Sequence, residues 1–171
     1  MAEARDGLAP SRRLPGRVGG GAGLRGLRGL SVDRGYWRAM SDENVAAARR
    51  IYQARNRGDV DAVLAECHPD VTWRPHLASL GGQPIRGHEE VRAYMASLQE
   101  DWRGFRHEPE EFFDAGEKVV AFLNTYARGP ESGIDVEVPV AHVLEFRDGK
   151  CIGYVSYHDR AEALRIARLP D

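Results

Sequence analysis

Alternation of apolar and polar residues dominates the second half of the chain. Val138, Val140, His142, Leu144 and Phe146 recur at every second position, as do Ile152, Tyr154, Ser156 and His158. Strand side chains alternate between faces, so each set shares one face. Asp148-Gly149 lies between the two runs. A two-residue hairpin turn needs positive φ at both positions, which Asp-Gly tolerates well. The pattern predicts a hairpin over Val138–Asp159. Its inner wall is almost apolar, yet it carries two imidazoles, a phenol and a hydroxyl. Two further strands are expected upstream, over Phe105–Asp114 and Lys118–Arg128 around Ala115-Gly116. The long strand of the hairpin should begin near Ile134, after the loop 129–133.

The first half has a different period. Val45, Ala48, Ile51, Tyr52 and Arg55 keep helical spacing, predicting a helix over about Asp42–Arg57 with Ser41 as N-cap and Gly58 as its stop. Asp59 should cap a second helix whose stripe is Val60, Val63, Leu64 and Cys67. His68-Pro69-Asp70 should break it, leaving Val71-Thr72-Trp73 as a short strand. Val91, Tyr94, Met95, Leu98 and Trp102 predict a third helix over about His88–Trp102, and Asp159 with Glu162 predicts a capped final helix ending near Arg168. Helices first and an antiparallel meander afterwards make an α+β fold, one sheet wrapped over a few helices. The Gly-Pro stretch 76–86 is expected as a loop over a pocket mouth.

Composition adds a boundary. Residues 1–39 hold nine of the nineteen glycines, and residues 1–40 hold eight arginines against three acids, a net +5. With the whole chain at −2, the remainder carries −7. No apolar period there is long enough to bury a face, so 1–39 is expected to be a disordered Gly/Arg-rich tail or an upstream extension. Targeting readings are weaker, since glycine disfavours a helix in 24–30 and no apolar region follows Arg12-Arg13. Residues 40–171 form the expected domain. An acidic body makes nucleic acid an unsuitable partner, and no apolar run is long enough to span a bilayer. Cys67 and Cys151 form no CxxC, and a reducing cytoplasm suits them. The six histidines show no metal-ligand spacing, and no nucleotide loop is present. No metal or cofactor is therefore expected.

The chemistry falls on the hairpin. His142 is either a general acid/base, or donor to a carbonyl, or else a core imidazole bonded to a tyrosine or the backbone; near-neutral titration makes the first plausible chemistry. His158 and Tyr154 would assist it, and both also have ordinary readings as strand-end and packing residues. Tyr52, Trp73, Tyr94, Trp102, Leu144 and Ser156 are the candidate ligand contacts, although aromatic residues at such spacing also build cores. Arg74 and His76 are expected at the rim. Asp135, Glu137 and Glu145 alternate with the apolar set and should face solvent or a dimer partner.

Several segments together carry a family likeness. They are Met40–Val45, Tyr52 with Asn56–Asp61, His68–Trp73, Arg86–Val91, Asp114–Gly116, Val140–Val143, Arg147–Lys150 and Tyr157–Leu164. Over about Met40–Leu169 the chain resembles the nuclear transport factor 2-like superfamily, and within it the SnoaL-like group. The resemblance implies a curved sheet closing into a cone with a pocket inside, and a homodimer. It also implies a cofactor-free isomerase or cyclase acting on a small hydrophobic carbonyl compound, or a non-catalytic binding or dimerisation module. Ketosteroid isomerases of this superfamily use a helix-one Tyr, a strand Asp and a basic Asp. Here those positions fall on Ile51 (Tyr52 is one residue off), on His142 or, if the hairpin register shifts by one, Ala141, and near Pro75 or His76. Two of the three groups are missing, so steroid isomerisation is not expected.

Overall fold

The computed structural model describes residues 11–12, 34–76 and 82–169. The elements are β1 (Ser11–Arg12), α1 (Arg34–Asn56), α2 (Val60–Ala65), β2 (Cys67–Arg74), β3 (Ile85–Arg86), α3 (Gly87–Asp101), β4 (Arg103–Ala115), β5 (Lys118–Arg128), β6 (Asp135–Arg147), β7 (Lys150–Tyr157) and α4 (Arg160–Ile166). Most of the 1–39 tail and residues 77–81 of the Gly-Pro loop lie outside the described residues. The strands form one curved sheet in the order β1-β4-β5-β6-β7-β2-β3, and the sheet does not close. It is antiparallel from β4 to β7, while β2 runs parallel to β7.

Period two sorts the side chains as expected. Phe112, Val119, Ala121, Leu123, Val140, Leu144 and Phe146 face a core completed by the stripes of α1 and α3. Val45, Ala48, Ile51, Tyr52 and Arg55 of α1 are all buried. The intervening residues Phe113, Val120, Phe122, Ala141 and Val143 face the other way, under Ala163 and Leu164 of α4. The middle of β6 is thus buried on both faces. Each large apolar side chain so buried contributes on the order of 1.5–3 kcal/mol.

Turn and cap chemistry match the residues. Asp148 and Gly149 both have positive φ, 50° and 72°. Asp159 Oδ1 accepts from the backbone N–H of Ala161 at 2.8 Å and of Glu162 at 3.4 Å, and Asp59 Oδ1 accepts from Ala62 N–H at 3.1 Å. Capping of this kind satisfies donors that a helix start leaves bare.

Four local expectations need correction. Helix α1 begins at Arg34, so Ser41 lies inside a continuous helix and is not its N-cap. Cys67 opens β2 rather than closing α2, and His68-Pro69-Asp70 belong to that strand. Proline is tolerated there because the β2–β7 register shifts between Cys67 and Thr72, where a ladder N–H is not required. A bulge between Glu145 and Phe146 sets Phe146 opposite Cys151, so Cys151, and not Ile152, is the buried residue. Finally, Ile85–Arg86, expected inside the loop 76–86, form β3 antiparallel to β2.

Candidate functional site

Between α1, α3 and the concave face of the sheet lies a cavity of about 270 Å³. His142, Tyr154 and Ser156 line it from the β6–β7 hairpin, where His142 and Ser156 are cross-strand partners. Tyr94, Leu98 and Trp102 line it from the end of α3, and Val136, Val138 and Val140 from β6. Arg55, His76, Phe105, His107 and Thr125 complete the polar and aromatic wall. No described lining residue is a carboxylate.

His142 is both a packed residue and a cavity residue. Its Nδ1 lies 2.9 Å from the Tyr52 hydroxyl, and its ring stacks on Tyr52 and Tyr154 with centroids 5.9 and 4.9 Å away. With Tyr52 donating to Nδ1, the neutral ring carries its proton on Nε2. Burial, then the nearby Arg55 charge, push the His142 pKa down to about 3. The ring is therefore neutral at pH 7 and is a hydrogen-bonding group rather than a strong base. His107 behaves alike: burial first, then Arg55 and His142, hold it well below its usual value. Its Nδ1 meets Thr125 Oγ1 at 2.9 Å, and its Nε2 is buried without a partner. The Asn56 amide grips the His107 backbone both ways, donating to its C=O at 2.6 Å and accepting from its N–H at 2.9 Å. That clamp docks the end of α1 on β4.

Arg55 stands in the back wall, 8% exposed. Its guanidinium lies over the rings of Trp73, Tyr94, Tyr154 and Phe105, at 5.2 to 5.9 Å from their centroids. Nη1 donates to Tyr154 Oη across a long 3.5 Å, and Nε has no partner. Burial opposes its charge, but the Tyr154 and Tyr94 phenols outweigh that, and its pKa ends raised.

Five of the nine expected site residues line the cavity: His142, Tyr154, Tyr94, Trp102 and Ser156. Tyr52 sits behind His142 as its partner, while Trp73 underlies Arg55 and Leu144 is core. His158 lies past the end of β7, exposed, with its Nε2 2.5 Å from Nε2 of His76. Thus His76 lines the cavity and His158 supports it from outside. Asp135, Glu137 and Glu145 are exposed. Arg55, His107 and Thr125 are the polar lining residues that were not singled out from the sequence. The signal for Arg55 was present, as a charge on an otherwise apolar helical stripe. Among the described residues, no group of three or more His, Cys, Asp or Glu is placed to hold a metal ion. No described helix is long and apolar enough to cross a membrane.

No curated protein matches the chain. Solved structures do. A nuclear transport factor 2-like protein of unknown function from Burkholderia pseudomallei K96243 is 28% identical, with a TM-score of 0.62 over 73% of this chain and 97% of that one. A nuclear transport factor 2-like protein from Burkholderia thailandensis E264 is 24% identical, with a TM-score of 0.62 over 74% of this chain and 98% of that one. TerC, co-crystallised with polyporic acid, is 23% identical, with a TM-score of 0.61 over 74% and 98%. The last two likenesses speak for the fold alone. The family model described as the SnoaL-like domain matches residues 48–154, the span from the buried stripe of α1 to Tyr154 in the cavity wall. By that match, over more than half of its length, the chain belongs to the SnoaL-like domain family.

Proposed function

We propose that the protein binds a small apolar molecule bearing a carbonyl group, with the oxygen accepting a hydrogen bond from His142. The observation that carries this reading is the Tyr52–His142 contact of 2.9 Å at the wall of an otherwise apolar cavity. It occupies Nδ1 and leaves Nε2 as the ring nitrogen available to a ligand. Apolar walls with a few placed polar groups are the usual make-up of small-molecule sites. The absence of a described carboxylate from the lining favours binding over proton transfer. Saturable quenching of tryptophan fluorescence by cyclohexanone and 2-cyclohexenone tests it. His142→Phe should weaken binding about three- to tenfold, the effect of one neutral hydrogen bond. No saturable binding by any ketone would sink the reading.

One observation favours a second reading, a cofactor-free isomerase or cyclase. The His76–His158 pair places the His76 imidazole, held below its ordinary pKa by burial and then by His158, in the cavity lining, where it would take a proton from carbon next to a carbonyl polarised by His142. Deuterium exchange at that carbon, followed by NMR in D₂O, should then be faster with protein and slow again in His76→Ala. A homodimer and a cytoplasmic location are proposed under either reading, and sedimentation of the full chain checks the dimer.

A further inference from the structure

The polar group least accounted for is Arg55. A guanidinium stays charged at any physiological pH. Burying such a charge is costly unless an opposite charge or good hydrogen bonds compensate it. None of the described ion pairs includes Arg55. Its polar neighbours are the phenols of Tyr154, Tyr94 and Tyr52 and the imidazoles of His107 and His142. Burial holds the Tyr94 and Tyr52 phenols above and both imidazoles below their usual values, so these four stay neutral. The aromatic faces around the guanidinium offset part of the burial cost through cation–π attraction, but they leave the positive charge in place. Nε of Arg55 and Nε2 of His107 are both buried without a partner beside the cavity. Unmatched buried polar atoms call for an explanation, and beside a cavity a ligand group is one.

We propose that the cavity takes a small apolar monocarboxylic acid, with its carboxylate seated against the Arg55 guanidinium. The proposal rests on the small-molecule reading of this cavity and narrows its ligand class. A planar guanidinium matches a carboxylate with two parallel hydrogen bonds. The lining contributes no competing negative charge. The volume, about 270 Å³, is the space of on the order of nine waters, so the ligand has about one ring. Its apolar body lies against Leu98, Trp102 and Val138.

The test is a matched pair of ligands titrated into the full chain by calorimetry at pH 7.5: 4-oxocyclohexanecarboxylate and its carboxamide. Both carry the ketone and differ in charge. The acid should bind at least about tenfold more tightly, as one charge-assisted hydrogen bond provides, and should compete with bound cyclohexanone. In Arg55→Met the preference should vanish. Equal affinity for acid and amide, or a preference that survives in Arg55→Met, overturns the proposal and leaves the cavity reading intact. If cyclohexanone, acid and amide all fail to bind, the cavity reading falls and the proposal falls with it. Should Arg55→Met not fold, the wild-type pair and the competition decide alone.

Discussion

At the scale of the residue, Tyr52 and His142 work as one unit. The phenol arrives from α1 and the imidazole from β6, and their contact is the polar join in a packed interface. Tyr52→Phe would keep the ring packing and leave His142 Nδ1 buried and unpaired. A loss of about 1–3 kcal/mol is expected in urea unfolding. The ¹⁵N signals of the His142 ring should also change, because the group that selects its tautomer is gone. A variant as stable as the parent, with unchanged ring signals, would mean that the contact is incidental. His142, Tyr154 and Ser156 were legible in the sequence because period two is rigid, and a known register puts them on one wall. Tyr94 and Trp102 were legible from helical spacing. His107 was not, since a lone histidine in β4 looks like any other strand residue until α1 is docked over it. Arg55 could be placed on the buried stripe, but its lack of a partner is a fact about neighbours distant in sequence.

At the scale of the element, the parallel approach of β2 to β7 depends on Gly153. A Cβ there would stand 2.8 Å from the backbone oxygen of Thr72, too close for the strands to remain in place. Gly149 differs, because a Cβ there would meet Glu43 Oε1 at an ordinary 3.9 Å, and its φ of 72° is what alanine resists. Gly149→Ala should cost about 1–2 kcal/mol as left-handed backbone strain. Gly153→Ala should cost about 1–3 kcal/mol as overpacking. It should also loosen the wall that holds Tyr154, weakening ketone binding, whereas Gly149→Ala should not. Denaturant unfolding and ligand titration on both variants check this. The hairpin and its turn were readable because local chemistry selects them. The β2–β7 pairing joins strands far apart in sequence, and the strand through Pro69 contradicts local preference; the sheet's tertiary packing overrides it.

At the scale of the molecule, the two buried imidazoles couple folding to pH. Both His142 and His107 are held below their ordinary value, chiefly by burial. The unfolded chain takes up protons that the folded chain refuses. The stability they contribute is therefore complete above pH 6.5 and is lost as pH falls from there, in the case of His142 toward about 3. Each proton contributes roughly 1–1.5 kcal/mol per pH unit within that window. Urea unfolding at pH 7 and pH 5 should show a marked drop, and His142→Gln should flatten it by about one proton's slope. Both ring signals should stay unmoved by NMR from pH 8 to 5. A ring that titrates near 6.5 would show that the cavity wall is wet.

The sequence alone determined the order of the helices and of every strand but the two-residue β1 and β3, the hairpin turn, the helix caps at Asp59 and Asp159, and which face of β6 turns inward. These follow from periodicity and local hydrogen bonding, which act between neighbours in the chain. Only the tertiary structure decided that β2 runs parallel beside β7, that α4 covers the outer face, and that His158 props His76 from outside while Tyr52 and Trp73 stand behind the wall. It also decided that a charge on the stripe of α1 faces aromatic rings and no carboxylate. Those outcomes depend on the docking of segments dozens of residues apart, and burial and pairing between them have no local trace.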